Sequence, residues 1–311
     1  MEFNTGPFVP ERINEWAYWI VEREAMRRRK EKGQPGMYGP GTYSDDPHMA
    51  FTRYCNVRRM DDKVSQWLMA HWYPKDTEDY PAKEIVACAL AARMINRPET
   101  LAHITDGKPF SSWNYKRFHT RMYEVKASGT SVFTNAYIIN GASGGPKIEQ
   151  VLNAIEKCFT TKPFHYFDNE SMQRTAKHLH SLPGIGGFMA GQVVADLRWV
   201  LDGEDPMDNF WADRMVWAPP GPGSSRGMKY LLGLSSPDNM AGRGSDLSEV
   251  QFLRYLPTLI FIAKRHPTVG KVFKDRGLEA HDIQNTLCEL SKYIRVKNGG
   301  RGKNPYPPKE R

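Results

Sequence analysis

The sequence predicts a mainly α-helical fold with long loops, organised around a helix-hairpin-helix. Three observations predict it. Apolar residues recur at helical spacing through most of the chain. A glycine-rich turn at 183–186 separates two such periodic segments. Only one short stretch, 130–139, is rich in β-branched residues, and it predicts a short strand or an extended link.

Residues 12–32 predict a helix, with Ile13, Trp16, Ile20 and Met26 near helical spacing. It ends in Arg27-Arg28-Arg29-Lys30, and Gly33 and Pro35 follow as a stop. Residues 36–47 predict a loop. Residues 50–72 predict one helix, which spaces Arg58 and Asp62 as an i,i+4 surface pair. Residues 82–96 predict an apolar helix that stops near Pro98, and 114–126 an amphipathic basic one. Residues 147–159 predict another. Residues 169–182 and 187–201 form the hairpin pair. Residues 203–244 predict loop, including Pro219-Pro220-Gly221-Pro222-Gly223-Ser224. Residues 247–264 and 282–293 close the fold, and 297–311 predict a basic, poorly ordered tail. No internal repeat is present.

The chain has 311 residues, a length that fits one large domain or two small ones. Hydrophobic residues make up 40%, enough for a core, and 43 Lys and Arg against 35 Asp and Glu leave a formal charge of +8. With eight Trp and 14 Tyr, this balance suits nucleic acid, where cations meet phosphates and rings stack on bases. Cys55, Cys88, Cys158 and Cys288 are scattered, without a Cys-x-x-Cys pair or a disulfide framework. That points to a reducing cytoplasm. Residues 1–10 lack the apolar core of a signal peptide, and no apolar run approaches about 18 residues, so no membrane partner is expected.

The hairpin is the most informative stretch. In Leu182-Pro183-Gly184-Ile185-Gly186-Gly187, glycines let the backbone turn sharply and approach a ligand. Amides at the turn and at the start of the next helix then suit a phosphate, which makes Gly184, Ile185, Gly186 and Gly187 candidate DNA-backbone contacts. Ala190 is small enough for close helix packing. The alternative is a glycine-rich link between two core helices.

Residues 217–227 resemble an anion-binding loop: glycine amides, the Ser224 and Ser225 hydroxyls, and the charges of Arg226 and Lys229. A rigid surface loop is the alternative. Residues 141–148 come nearest to a nucleotide-binding loop. Pro146 stands where its second glycine belongs and Ile148 where Ser or Thr belongs, so no nucleotide-driven kinase activity is expected. Asp208 and Asp213, after the hairpin, are candidate catalytic carboxylates, against the commoner reading of surface aspartates. Asp282, Glu289, Lys292 and Tyr293 fall near one helical face, which alone reads as a solvated stripe. Cys288 reads as a small buried side chain. His178 and His180 lack i,i+4 spacing, so no metal is expected.

Arg12-Ile13-Asn14-Glu15 with Arg23-Glu24, residues 54–62 with their Cys55-Asn56-Val57-Arg58-Arg59 block, residues 133–137, the hairpin, Asp213 with the Gly221-Pro222-Gly223-Ser224 block, and residues 282–295 carry a resemblance. Together they resemble the amino acid:DNA transferases of phage thymine hypermodification, first grouped as alpha-glutamyl/putrescinyl thymine pyrophosphorylases. They are also similar to the helical domain of the 5-hydroxymethyluracil DNA kinases. The resemblance covers about residues 12–306. Met60 departs from it, standing where an acidic residue is expected.

The resemblance implies a fold related to the helix-hairpin-helix DNA glycosylases, with residues 1–311 as a single catalytic DNA-binding domain. It implies transfer of an amino acid, often glycine, onto an activated 5-(phospho)methyl-deoxyuridine in double-stranded DNA, with loss of phosphate or pyrophosphate. No cofactor is implied, and a phage-encoded enzyme would work in the host cytoplasm. Arg58, Arg59, Ser224, Arg226 and Lys229 become candidates for the leaving group. Lys292, Arg295, Asn56 and Trp217 become candidates for the amino acid or substrate. Trp211 or Trp217 would hold a flipped base, and Asp213, then Asp208, would serve as base. Two alternatives stand: a glycosylase acting on a modified uracil, and a non-catalytic DNA-binding partner of a DNA-base kinase. Against the first, Phe188 stands where bifunctional glycosylases carry lysine, and the dispersed cysteines cannot hold their four-cysteine cluster.

Overall fold

The computed structural model describes residues 4–78, 80–134, 145–160, 170–202, 210–241 and 247–301. Among these, thirteen α-helices occur and no strand. The chain divides into two compact units: residues 1–61 with 215–311, and residues 62–214.

The first unit contains α1 (Pro10–Glu31), α2 (Pro47–Ala50), α10 (Pro222–Leu231), α11 (Glu249–Arg265), α12 (Val269–Val272) and α13 (Ala280–Lys297). α1 starts on Pro10, whose missing N–H costs nothing in a first turn, and ends in Arg28, Arg29 and Lys30, cations that suit a helix C-terminus. Ile13, Trp16, Ala17 and Ile20 are buried along it. They share one core with Met228, Leu256, Leu259, Leu287 and Leu290 of α10, α11 and α13. The indole N–H of Trp16 is not wasted there: it donates to Thr286 Oγ at 3.0 Å.

The second unit contains α3 (Lys63–Trp67), which continues into a π turn at Leu68–Trp72, then α4 (Ala82–Ile95), α5 (Pro98–Thr105), α6 (Tyr115–Ala127), α7 (Lys147–Thr160), α8 (Met172–Ser181) and α9 (Gly187–Asp202). Every residue of α4 from Ile85 to Ile95 is buried, as expected of a central helix apolar on all sides. Its one charge, Arg93, is matched by Asp196 of α9 in a two-pronged bond of 2.5 and 2.6 Å. Ser65 and Tyr73 complete that network. A buried pair lacking either member would leave an unmatched charge, so this network ties α3, α4 and α9 together.

Three expectations change. Residues 50–72 are not one helix: the chain is non-helical from Phe51 to Arg58, and a 3-10 turn at Arg59–Asp61 precedes α3. Arg58 and Asp62 are therefore not a helical pair. Asp62 caps α3, accepting from the N–H groups of Val64 and Ser65, and Asp61 pairs instead with Arg276. Pro98 does not end the helical region. It opens α5 at a position that needs no N–H. Finally, the Pro-Gly-Ser stretch is the start of α10 rather than loop, with Pro222 in its first turn. The described part of 130–139, residues 130–134, carries no strand.

Candidate functional site

The polar stripe of α13 organises the first unit. It was expected to be solvated, yet Asp282, Glu289 and Tyr293 are all buried. The reason is the non-helical segment 53–59, whose backbone groups lack helical partners and are paired by side chains instead. Asp282 accepts from the Arg59 N–H at 2.9 Å, and Glu289 from the Cys55 N–H at 3.0 Å. Asn285 donates to the Asn56 carbonyl at 2.9 Å, and Lys292 to that of Arg53 at 3.3 Å. From α1, Arg23 donates to the Cys55 carbonyl at 2.9 Å and to the Asn56 side chain. Asn56 also donates to the Asp61 carbonyl. Segment 53–59 is thus a strap bound along α13, and Asn56, expected at the substrate, braces it.

α10 lies against the other side of α13. A Cβ at Gly227 would strike the Leu287 carbonyl, and one at Gly223 the Cys288 sulfur, so glycine at these positions permits the approach. Ser224, expected at a phosphate, is fully buried. Its hydroxyl accepts from the Gly221 N–H at 2.9 Å and from Gln284 at 3.2 Å. It holds the start of the helix. The Ser225 hydroxyl is also buried and has no hydrogen-bond partner among the described residues.

This packing gathers charge. Burial and the Glu289 carboxylate push the Cys288 thiol up to about 11, against the opposing pull of Lys292, Arg226 and Arg295. Four charged groups from α10 and α13 therefore act on one sulfur. Glu289 pushes the exposed Cys55 thiol up to about 12. Both thiols stay protonated at neutral pH, which argues against a nucleophilic cysteine. Lys292 is committed to both Glu289 oxygens, at 2.8 and 2.6 Å. Arg226 and Arg295 are not: neither forms an ion pair among the described residues, and the Nε of each is buried without a hydrogen-bond partner. Two unspent guanidinium groups beside one neutralised carboxylate make a site for an anion. Arg58 is buried, and its charge faces Asp282. Arg59 and Lys229 are half-buried.

Within the second unit, α8 and α9 are joined by a tight turn. Leu182 and Ile185 are buried beneath it, and Gly184 takes φ +85 against Ala154. Nothing crowds Gly186 within 4 Å, and Phe188 is exposed. Asp213 is held at the start of α8, where it accepts from Ser171 Oγ at 2.8 Å and from the N–H groups of Met172 at 2.8 Å and Gln173 at 3.0 Å. These are bonds of a helix anchor rather than of a free base. Asp208 lies outside the described residues. Neither tryptophan offers a free ring to a base. Trp211 is fully buried, with its N–H on the Leu197 carbonyl. Trp217 is buried against His281, with its N–H on Glu249.

Sequence reasoning passed over Glu289 as the partner of the strap, and it left Arg23 without a role. Glu289 and Lys292 carried a usable signal in their i,i+3 spacing, but the strap they hold is more than 230 residues away in the chain.

Among the described residues, no helix is long and apolar enough to cross a membrane. No curated protein and no solved structure matches the chain. The family model for the 5-hmdU DNA kinase, helical domain, matches residues 11–301, a span that holds the strap, α10 and α13 alike. The chain belongs to that family, which ties it to thymine modification in DNA.

Proposed function

We propose that the chain is an amino acid:DNA transferase that acts on 5-phosphomethyl- or 5-pyrophosphomethyl-deoxyuridine, with glycine as the first candidate donor. The amine nitrogen bonds to the exocyclic methylene carbon while the carbon–oxygen bond to phosphate breaks. Phosphate or pyrophosphate leaves with the electron pair, and the amine loses a proton. One observation carries this reading: Arg226 and Arg295, unspent and side by side with Glu289, at the packed start of α10.

In this reading Arg226 and Arg295 stabilise the charge growing on the leaving group, with Arg59 and Lys229 adding to the field. Glu289 takes the proton and Lys292 orients it. Arg58 and Asn56 position the strap. Gly184, Ile185, Gly186 and Gly187 contact the DNA backbone, and the target base leaves the duplex before reaction. Asp213 anchors α8 and is a positioning residue.

A second reading is a substrate-holding helical domain for a DNA-base kinase, favoured by the description of the matched family model. Nucleoside mass spectrometry separates the two. The protein is incubated with phosphomethyl-uracil DNA and mixed amino acids, and the DNA is then digested. Transfer predicts a mass gain by one amino acid less water and phosphate replacement, reduced about 100-fold or more in Arg226→Ala. DNA binding with no adduct for any amino acid overturns transfer and leaves the second reading. Abasic sites would mark a glycosylase.

A further inference from the structure

The first unit holds a cavity of about 630 Å³ that the transfer reading does not use. Tyr18 and Glu15 of α1, Asp46 before α2, Tyr230 of α10, and Tyr293 and Lys297 of α13 line it. Its polar groups are ordered around two carboxylates. Glu15 accepts from the Tyr230 hydroxyl at 2.5 Å. Asp46 accepts from the hydroxyls of Tyr18 at 3.2 Å and Tyr293 at 2.8 Å, while its other oxygen caps α2 through the His48 and Met49 N–H groups. Burial and the neighbouring carboxylates push the Tyr18 hydroxyl up to about 12, and raise those of Tyr230 and Tyr293 as well. All three phenols therefore remain donors, and their ring faces remain rich in electrons.

Such a wall repels anions and attracts cations. The chain already places one there. Lys297, half-exposed at the C-terminal end of α13, sets its ammonium 2.5 Å from Glu15 and 5.9 Å from the centre of the Tyr293 ring. The other cation, Arg12, is spent on the Tyr230 and Ser235 carbonyls at 2.6 and 2.9 Å, and it packs over the Tyr230 ring. We propose that this cavity binds a primary alkylammonium, its N–H groups on Glu15 and its alkyl chain along the tyrosine faces, in place of Lys297. Carboxylate acceptors reward N–H donors, so a primary ammonium binds better than a quaternary one, which has none to offer.

The test uses the full chain without DNA, so it is independent of the transfer reading: an adduct can fail to form while this binding persists, and the reverse. Titration calorimetry with n-butylammonium is compared with n-butanol, butyrate and tetramethylammonium. Saturable binding of butylammonium alone is expected. Glu15→Gln, which keeps an acceptor for Tyr230, weakens it about tenfold or more. Lys297→Met removes the resident ammonium and tightens it. Melting curves establish that both variants are folded, and should Glu15→Gln fail to fold, Lys297→Met decides alone. No saturable binding, equal binding of butanol or tetramethylammonium, or a Lys297→Met affinity no better than the parent's each overturns the proposal.

Discussion

Asp282→Asn tests the junction of strap and α13 through its pH dependence. Asp282 is fully buried. Burial raises its carboxyl from an ordinary 3.8 to about 6, with the Arg59 and Glu279 N–H groups and the Arg58 charge pulling the other way and the Glu279 carboxylate adding to the rise. Between these two values the folded state binds the proton that the unfolded state has released. Stability from this group is therefore greatest below about pH 4 and is lost as pH rises through about 6. At about 1.4 kcal/mol for each pH unit, the change is about 3 kcal/mol. Asparagine has no such titration. It keeps one acceptor for the two N–H groups and faces the other with its own NH₂, a cost of about 1–3 kcal/mol that does not vary with pH. Urea unfolding of both proteins across pH 4–7 isolates the effect. The stability of the parent minus that of the variant is expected to fall by about 3 kcal/mol over this range, the other carboxylates cancelling in the difference. A flat difference would refute the reasoning, since it would mean that Asp282 titrates like a solvated carboxylate.

Two further perturbations test the packing. Gly227→Ala drives a methyl group into the Leu287 backbone carbonyl, which cannot move without separating α10 from α13. It should destabilise the chain by about 1–3 kcal/mol, at about 2–4 °C of melting temperature for each kcal/mol. Gly223→Ala meets only the Cys288 side chain and should cost less; equal or reversed costs in melting experiments would contradict this packing. Asp213→Ala strips three bonds from the start of α8, for a loss of about 0.5–2 kcal/mol. Amide exchange should quicken at Met172 and Gln173, and unchanged protection there would argue against the anchoring role.

Much of the fold was legible because helices write themselves in local spacing. α1, α4, α6, α7, α8, α9, α11 and α13 all begin and end within a few residues of the positions their apolar periodicity predicts. The misreadings share a cause. Pro98 and Pro222 were taken as breaks, although proline suits a first helical turn. Residues 53–59 have enough helical character to be read as a helix, but Asp282, Glu289, Asn285, Lys292 and Arg23 supply their backbone with other partners. No local rule announces partners more than 200 residues away.

The site divides in the same way. Arg226, Lys292 and Arg295 were singled out from sequence because cations beside a glycine-rich stretch or on one helical face are visible residue by residue. Which of them remain unspent was not visible. Lys292 is bound to Glu289 while Arg226 and Arg295 keep their Nε groups free of partners. Ser224, Asn56 and Asp213 were chosen for the chemistry of their side chains, and each spends that chemistry on holding a helix start or a strap. The sequence by itself determined the helical class, most helix positions, and the basic and aromatic character that points to nucleic acid, because these follow from spacing and composition. Only the tertiary structure decided which polar groups are consumed by the fold and which are left for a ligand. That depends on close approaches such as Gly227 to Leu287, which join parts of the chain no local pattern connects.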